Sequence, residues 1–419
     1  MRWHLRGLWG NADFLKLWLG RTISNMGNGI TGIALPLTAV LVLSATPAQM
    51  GIISALGGIA VLLFGLLAGA WVDRLRHRPV MIITDIGRAL AISSIPVAAL
   101  LGILHIEQVY IVAALAGILS VFFNTADATY LPGLVQSTEL VEGNSKLGIS
   151  DALAEMVGPA AAGALVQIFS APFAILVDAF SFLFSALFIG QIHKPEPEPV
   201  VIKRESSVWH ESVEGLVFLL KHPLLRAIAG SAGLFNFTGM FIGTLYTLYI
   251  VRILGLSPTL LGLLVATGGL SALVGALLAR SVIQRIGPGM TIGGGLFVYG
   301  LVGLLIPLAS GSVPVVATLL FTSQLVGDAA ISMYFIAELS LRQSLVPHHV
   351  LGRVNASMQL LSGGMAPLGA LLAGIIAENI GVRFTLLIGI SGVIGAGLWL
   401  LLSPVRKIRR LDTQPAETA

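Results

Sequence analysis

The chain has 419 residues, of which 56% are hydrophobic and only 11% are charged, with a mean hydropathy of +0.92 and a formal charge of +4. A soluble domain carries about 25% charged residues, so this composition predicts a protein that is dissolved in lipid. The chain contains no cysteine, which excludes disulfides, thiolate metal sites and a cysteine nucleophile.

Apolar runs between polar breaks predict twelve membrane-spanning helices, because a span needs roughly 20 apolar residues. The first run follows a basic start and is too long and too interrupted for a cleaved signal peptide, so we expect it to be retained. All of the runs are too long for the strands of a membrane barrel. The predicted spans lie at about 14–43, 48–72, 80–104, 109–131, 150–170 and 172–191, and at about 224–252, 258–283, 289–310, 313–341, 354–377 and 383–403.

The two sets of six spans are predicted to be repeats, because the chain resembles itself when it is shifted by 211 residues. Asn25 then falls on Asn236, and the same register holds as far as Gly163, which falls on Gly374. A duplicated hydrophobic half is typical of transporters whose substrate path follows the seam between the repeats. We therefore predict an all-α membrane protein with an N-terminal bundle at 1–192, a cytoplasmic interdomain loop at 193–222, a C-terminal bundle at 223–405 and a basic tail at 406–419.

The positions of the basic residues predict the orientation of the helices. If both termini and every second loop are assigned to one side, that side holds 21 of the 24 Lys and Arg residues. Arg252 and Arg383 lie on the other side, and Arg88 lies within the third helix. We therefore predict a multi-pass protein of the cell (inner) membrane with both termini in the cytoplasm. The positive balance is then a topology signal rather than a sign of nucleic-acid binding.

Several motifs resemble those of a known transporter superfamily. Residues 69–78 read Gly-Ala-Trp-Val-Asp-Arg-Leu-Arg-His-Arg, which resembles the signature loop of the major facilitator superfamily. The resemblance covers nearly the whole chain and implies two six-helix bundles that alternate access to a central site. Other segments resemble the efflux branch that includes macrolide exporters and siderophore (enterobactin) exporters, namely Asp85–Ala89, Phe123–Ala126, Leu131–Val135, Asn144, Gly158–Gly163, Val346-Pro347 and Leu351–Val354.

The resemblance gives the loop between the second and third spans the role of a conformational latch. Asp73 can accept hydrogen bonds from a helix N-terminus, and the arginines can pair with carboxylates of the other half. The alternative for the arginines is a positive-inside anchor. The predicted latch residues are Asp73, Arg74, Arg76 and Arg78, and Gln284 stands where the second repeat would mirror Asp73.

Two further motifs are predicted to serve the packing of helices. Asp85 and Arg88 are spaced i, i+3, so they can neutralise each other, and the resemblance implies a structural pair that positions the third helix. Gly158, Pro159 and Gly163 resemble an antiporter motif in the fifth helix. Small residues there allow close helix contact, and the proline bends the helix.

Four acids are candidates for proton coupling: Asp328, Glu155, Asp127 and Glu338. Asp328 lies near the middle of the tenth span, where a charge costs about 2.5–3.5 kcal/mol on insertion scales and must face protein or a cavity. The alternative for Asp328 is a hydrogen-bonded carboxyl that fixes helix packing. Asp127 and Glu338 coincide at the 211-residue shift, and they are either gate or proton-entry groups or solvated helix-end charges. Glu155 is either a second proton site or a cap at the cytoplasmic end of its helix.

The resemblance implies that the first, fourth, seventh and tenth helices line a central cavity. Polar and aromatic side chains on these helices could form an amphipathic wall for a large, mostly apolar ligand. Packing and lipid contact are the alternative for most of the aromatic residues. The candidates for the substrate cavity are Asn25, Asn28, Asn236, Tyr246 and Tyr334.

Together these features predict a secondary exporter that couples inward proton movement to the export of a lipophilic small molecule of the drug, macrolide or siderophore class. The alternatives are a symporter or a lysophospholipid flippase on the same fold, or a non-transporting membrane scaffold. The sequence contains neither a P-loop nor a His-Glu-x-x-His motif, so we expect no enzymatic activity, no metal and no cofactor. The expected partners are the substrate, protons and membrane lipids, without nucleic acid, and we expect a monomer.

Overall fold

The computed structural model describes residues 7–72, 74–196 and 208–410, which form helices and contain no strand. Short 3₁₀ turns flank some helices, and a π-helical turn, Tyr249–Ile253, continues α8. The helices are α1 Ala12–Leu41, α2 Pro47–Val72, α3 His77–Leu100, α4 Ile106–Leu134, α5 Leu140–Phe169, α6 Ala171–Gly190, α7 Val208–Lys221, α8 Pro223–Leu248, α9 Pro258–Ile286, α10 Pro288–Gly303, α11 Leu305–Leu308, α12 Val313–Leu345, α13 His348–Gly363, α14 Met365–Ile380 and α15 Val382–Leu402.

Within the described ranges, eleven stretches are long and apolar enough to cross a membrane. Two of these stretches each join a pair of helices, α10 with α11 and α13 with α14. The predicted first span, α1, is not among the eleven because it carries several polar and charged side chains. Its 30 residues correspond to about 45 Å of helix, which is enough to cross a hydrocarbon core of about 30 Å. The polar side chains of α1 therefore need hydrogen-bond or ion-pair partners inside the protein.

The fifth helix begins earlier than the sequence predicts. The prediction placed its start at about 150, but α5 begins at Leu140. Residues 140–149 are rich in polar side chains and glycine, so an apolar run does not reveal them. The helix extends this far because its first turns pack on the N-terminal segment, where Glu142 Oε1 accepts a hydrogen bond from the backbone N–H of Leu8 at 3.1 Å.

The chain divides into two compact units. Unit 1 consists of Met1–Ala45, Ile59–Ile202 and Leu256–Ala266, and unit 2 consists of Thr46–Gly58, Lys203–Gly255 and Thr267–Ala419. Each unit thus includes one half-helix from the opposite repeat, which a reading of consecutive spans does not reveal. The bundle boundaries at 192 and 223 stay a prediction about the repeats.

In unit 1, α1 packs against α5 and α6, and α3 packs against α4 and α6. Trp9 contacts Trp18 edge to face at 5.0 Å, and the ammonium of Lys146 lies 3.7 Å from the centre of the Trp9 ring. Close van der Waals packing and polar contacts between the helices stabilise this association. The buried core includes Leu8, Phe14, Leu17, Met81, Phe123 and Tyr130.

In unit 2, α8 packs against α14 and α15, and α10 packs against α12 and α15. The predicted interdomain loop contains the helix α7, which packs on α13. A Cβ on Gly215 would lie 2.5 Å from the carbonyl oxygen of Arg353, so only glycine permits this approach. Leu219 of α7 is fully buried, which makes α7 part of the core of unit 2.

Two glycine crossings, related by the 211-residue shift, join helices within the units. In unit 1, Gly163 of α5 lies against Gly262 of α9, and in unit 2 Gly374 of α14 lies against Gly51 of α2. A Cβ on Gly163 would lie 2.5 Å from the carbonyl oxygen of Pro258. Backbone thus meets backbone at both crossings, and neither can accept a side chain without moving a helix.

We expect Gly163→Ala to lower the free energy of unfolding by about 1–3 kcal/mol, because the added methyl group must push α9 away. Thermal unfolding of the detergent-purified protein measures this loss. Gly294→Ala in α10 is the matched control, since a Cβ at Gly294 meets nothing within 4 Å. Alanine favours a helix over glycine by about 1 kcal/mol, so this control should be neutral or stabilising. Equal effects of the two changes would contradict the crossing.

A histidine caps α8 outside the membrane segments. The Nδ1 atom of His222 accepts a hydrogen bond from the backbone N–H of Leu225 at 3.4 Å, which requires a neutral ring. Partial burial lowers the pKa of His222 below its ordinary value. The contribution of the cap is therefore complete above the unfolded-state pKa of about 6.5, and it is lost as the pH falls through the lower folded-state pKa.

We expect the stability of the purified protein to fall by about 1 kcal/mol through loss of this cap as the pH is lowered from about 7 to about 5. In His222→Asn the side-chain carbonyl caps the helix at either pH, so this part of the pH dependence should disappear. Melting temperatures of both proteins across the pH range measure the effect. Parallel pH profiles for wild type and His222→Asn would count against the cap.

Candidate functional site

A guanidinium group joins three helices of unit 1. Arg21 of α1 binds Asp127 of α4, with Nη1 and Oδ2 at 2.7 Å, and Asp151 of α5, with Nη2 and Oδ2 at 2.8 Å. The side-chain amide of Asn25, one turn further along α1, donates to Asp151 Oδ1 at 2.6 Å. Asn25 therefore belongs to a charge network rather than standing free for a ligand. Arg21 and Asn25 reach the same acid because a spacing of four residues puts them on one face of α1.

A second guanidinium group lies deeper in the same unit. Arg88 is 1% exposed and donates to Asp85, and its charged end lies 4.3 Å from the ring centre of Phe123 and 4.2 Å from that of Phe182. The two aromatic faces stabilise the buried cation. The structure thus brings Asp85 and Arg88 together, and that their role is structural stays a prediction.

Asp178 of α6 is the fourth carboxylate of this region. It is 1% exposed, it accepts a hydrogen bond from Ser181 Oγ at 2.9 Å, and it lies within electrostatic range of Arg88. A Cβ at Gly27 of α1 would clash with both Asp178 and Ser181, so the glycine makes room for the acid. Asp178 thus packs at the contact between α1 and α6.

The six charged groups form one cluster. Arg88 interacts electrostatically with Asp127 as well as with Asp85 and Asp178, which links the two guanidinium sites. Two guanidinium groups face four carboxylates, a formal charge of −2. Asp127 is 8% exposed, and its Oδ1 atom has no hydrogen-bond partner among the described residues. Uncompensated negative charge in a buried site is costly, so this cluster favours binding a cation or a proton. We call it the six-charge cluster.

Unit 2 contains a different acidic site. Asp328 of α12 is partly buried, and within the described ranges no Lys or Arg forms an ion pair with it. A Cβ on Gly268 of α9 would clash with its Oδ2 atom, so Gly268 leaves the space that the carboxylate occupies. The side-chain amide nitrogen of Gln324 lies on the same side, 3.0 Å from that Cβ position. At the 211-residue shift Asp328 falls on Gly117, so this site exists in one repeat only.

Two tyrosines lie near Asp328. The carboxylate is close enough to act electrostatically on Tyr246 of α8 and on Tyr299 of α10. The hydroxyl of Tyr246 is buried and has no hydrogen-bond partner in the described part of the chain. A buried hydroxyl without a partner costs about 1–3 kcal/mol, so a hydrogen-bonding group placed here would be stabilising.

An aromatic group adjoins this region of unit 2. The ring of Phe235 contacts those of Tyr299, Tyr334 and Phe335, with centroids 6.0 to 6.2 Å apart. Tyr334, predicted to line the cavity, is only 2% exposed and packs in the core. Phe335 is 52% exposed and presents apolar surface. The aromatic group can contact an apolar ligand through Phe335, with Tyr334 behind it.

The other predicted acids have different surroundings. Glu338 is 8% exposed and lies 3.5 Å from Arg342 on its own helix, which is an ion pair but a poor hydrogen bond. Its repeat counterpart Asp127 instead binds Arg21 on another helix. Glu155 is exposed on α5.

The asparagine candidates for the substrate cavity have different hydrogen-bond partners. The side-chain amide of Asn236 donates to the carbonyl oxygen of Ala232 one turn earlier on α8, at 2.9 Å. Asn28 is exposed on α1. Thus Asn25 and Asn236, although they coincide in the repeats, serve different partners.

The predicted latch is only partly described, because Asp73 lies outside the described residues. Arg78 donates to the carbonyl oxygens of Ile189, at 3.0 Å, and of Gly190, which end α6. It thus caps a helix C-terminus within unit 1, where a cation is favourable. Arg74 and Arg76 are exposed. A latch to the other half stays a prediction.

The predicted packing motif lies at two close contacts in unit 1. Gly158 of α5 meets Gly29 of α1, with a Cβ on Gly158 placed 2.9 Å from the Cα of Gly29. Gly163 makes the crossing with α9 described above, and Pro159 is buried between the two. The motif therefore has the small-residue geometry that close helix contact requires.

Sequence reasoning missed Arg21, Asp151 and Gly268. Arg21 was counted only as a topology signal, although its spacing of four residues from Asn25 predicts that both lie on one face of α1. Asp151 lies at the start of the predicted fifth span, and its contact with Arg21 joins different helices. No sequence signal shows that Gly268 faces Asp328, because the contact joins different helices.

Comparison with known proteins places the chain in a family. The profile of the transmembrane secretion effector family matches residues 9–419, and the chain belongs to this family of major facilitator transporters. It is 28% identical to the multidrug efflux pump Tap of Mycolicibacterium fortuitum over 92% of this chain and 94% of Tap. It is 22% identical to macrolide efflux protein A of Streptococcus pyogenes, over 95% of this chain and 97% of that protein.

Two further similarities concern another exporter and the fold. The chain is 26% identical to the enterobactin exporter EntS of Citrobacter koseri, over 96% of this chain and 94% of EntS. Its structure is similar to that of the nucleoside transporter NupG, with a TM-score of 0.72 and 14% identity, over 93% of this chain and 98% of NupG. The predicted superfamily and all-α fold are confirmed, and so is the prediction of a multi-pass transporter rather than an enzyme.

Proposed function

We propose that the protein is a proton-coupled exporter that moves lipophilic small molecules across the cell membrane by alternating access. The observation that carries this proposal is Asp328, a partly buried carboxylate in a 33-residue membrane helix with no cation paired to it among the described residues. A charge at such depth is costly, and the cost is avoided when the carboxyl binds a proton. A group that must gain and lose a proton suits a carrier.

The surroundings of Asp328 support this role. Gly268 leaves space for the carboxylate, and the hydroxyl of Tyr246 lies nearby without a partner among the described residues. The hydroxyl of Tyr246, which has no hydrogen-bond partner among the described residues, suits exchange of a proton or a ligand beside Asp328.

The substrate class rests on the aromatic group and on the relatives. Phe335 offers exposed apolar surface beside Phe235 and Tyr299, which fits a ligand with aromatic or aliphatic parts. The names of three relatives describe multidrug, macrolide and enterobactin export. We propose that drugs, macrolides or siderophores are the substrate class, with both termini cytoplasmic and the monomer as the working unit.

Proteoliposomes test the proposal. The full-length protein is reconstituted with a pH-sensitive dye inside, and a panel of macrolides, siderophores, cationic dyes and lysophospholipids is added in turn. The proposal expects at least one of the first three classes to move protons in the direction opposite to its own. Proton movement in the same direction as the substrate would indicate a symporter, and movement of lysophospholipid alone would indicate a flippase. No substrate-dependent proton movement for any compound would contradict the proposal.

A further inference from the structure

Each repeat has a corner where the segment after its last helix meets the start of its third helix, and the charges at the two corners differ. At the 211-residue shift, Arg78 falls on Gly289 and Glu196 falls on Lys407. In unit 1, Glu196 Oε1 accepts a hydrogen bond from the backbone N–H of Arg78 at 3.1 Å and lies 3.4 Å from His77 Nδ1. A carboxylate therefore compensates the basic loop of the first repeat from within the chain.

In unit 2 the backbone arrangement is kept but the carboxylate is gone. The backbone N–H of Gly289 donates to the carbonyl oxygen of Ile408 at 3.2 Å, so the segment after α15 crosses the start of α10 as the segment after α6 crosses α3. The positions of Asp73 and Glu196 in the first repeat are taken by Gln284 and Lys407 in the second. The two repeats thus share this crossing of segments, but the second repeat has no acid at these two positions.

A cavity of about 670 Å³ opens at this corner of unit 2. No carboxylate of the described residues lines it, and none of them forms an ion pair with its five cations. The cavity also lies at the N-terminus of the 16-residue helix α10, whose dipole adds positive potential. The five cations are Arg285, Arg406, Lys407, Arg409 and Arg410.

We propose that this cavity binds the phosphate headgroup of an anionic phospholipid. Arginine side chains donate paired N–H groups to phosphate oxygens. Several cations around one cavity repel each other unless an anion binds between them. Ile286 and Met290, which are 50% and 40% exposed, line the same cavity and offer apolar contact for the start of an acyl chain. The cavity also lies where membrane helix α9 ends and α10 begins, at the depth of headgroups on the predicted cytoplasmic side.

The tail of the chain cannot neutralise the site alone. Residues 411–419 lie outside the described part and contain two acids, Asp412 and Glu417, against five cations in the cavity. The excess positive charge favours an external anion, and a lipid is present at high local concentration at this depth. The free phosphate ion shares the headgroup chemistry but lacks the acyl chain.

Titration of the detergent-purified full-length protein tests the proposal. Short-chain phosphatidylglycerol, short-chain phosphatidylcholine and inorganic phosphate are added separately, and the melting temperature is followed as a function of concentration. Wild type should be stabilised by phosphatidylglycerol well below the concentration at which phosphatidylcholine acts. In Arg285→Gln/Arg409→Gln the apparent affinity for phosphatidylglycerol should fall at least about tenfold, since each cation near a headgroup contributes substantially.

Lys221→Gln/Arg226→Gln is the matched control, because it removes two exposed cations of the same unit outside the cavity. It should bind phosphatidylglycerol as wild type does. Equal loss in both double variants would show a general surface-charge effect and overturn the site. Equal stabilisation by inorganic phosphate would assign the cavity to a soluble anion. Lipid binding seen only in Asp412→Asn/Glu417→Gln would assign it to the tail of the chain. Assignment of the cavity to a soluble anion or to the tail of the chain would overturn the lipid proposal.

Discussion

Replacing Asp328 by asparagine should abolish proton-driven export while leaving the folded protein in the membrane. The amide has nearly the same volume but cannot ionise, so the site loses its proton and keeps its packing against Gly268. In proteoliposomes with an imposed pH gradient, substrate accumulation should fall to the level of protein-free vesicles. Equilibrium binding of the substrate should change by less than about threefold, since Phe335 and the aromatic group are untouched.

Two control variants separate Asp328 from the other acids. Glu107→Gln changes an acid in the first turn of α4, in a different unit, and should leave transport unchanged. Glu155→Gln tests the exposed acid of α5. If Glu155→Gln abolishes the response to the gradient and Asp328→Asn retains it, the proton site is assigned to the wrong unit. Proton-driven transport by Asp328→Asn at the wild-type rate would contradict the proposal outright.

Replacing Arg21 by glutamine should cause the largest loss of stability. Arg21 is 22% exposed at its side chain, while Asp127 is 9% exposed, so the change leaves a nearly buried carboxylate without its cation. Breaking a buried pair costs about 3–5 kcal/mol, and the partial exposure of Arg21 puts the expected loss near the lower end, about 3 kcal/mol. Thermal or denaturant unfolding of the purified protein measures this difference.

A double variant also removes the charge of Asp127, which Arg21→Gln leaves without its cation. Arg21→Gln/Asp127→Asn should recover more than half of the loss, because no uncompensated charge remains between α1 and α4. Arg280→Gln, which changes an exposed arginine of α9, is the control and should lie within about 0.5 kcal/mol of wild type. A double variant no more stable than Arg21→Gln would show that Arg21 acts through packing rather than through charge.

The asymmetry of the two units has a physical origin in these charges. In unit 1 the acids share guanidinium groups, so α1, α4 and α5 are bound to one another by the six-charge cluster. In unit 2 Asp328 lies near the unpartnered hydroxyl of Tyr246, and Glu338 pairs within its own helix. The two units therefore compensate their acids in different ways. Both arrangements of charge fit the same repeated fold, because the backbone hydrogen bonds of a helix do not depend on which side chains are charged.

Much of the fold follows from the sequence because lipid imposes strong rules. Backbone groups must be satisfied inside each span, so long apolar runs predict helices, and the 211-residue shift predicts their arrangement in two sets. The prediction failed where helices are polar. The start of α5 was placed about ten residues late, and α1 lacks the apolarity of the other spans. The polar residues of α1 include Arg21 of the six-charge cluster, whereas residues 140–149 of α5 pack on the N-terminal segment through Glu142.

The sequence by itself determined the class of protein, the number of repeats and the position of Asp328 at a depth where a charge needs a reason. Only the tertiary structure decided which groups surround that acid and which bind Arg21. Helix formation depends on neighbours three and four residues away, which a sequence displays. Pairing across helices, such as Arg21 with Asp151 or Gly268 with Asp328, depends on the rotation and depth of each helix, which packing alone sets.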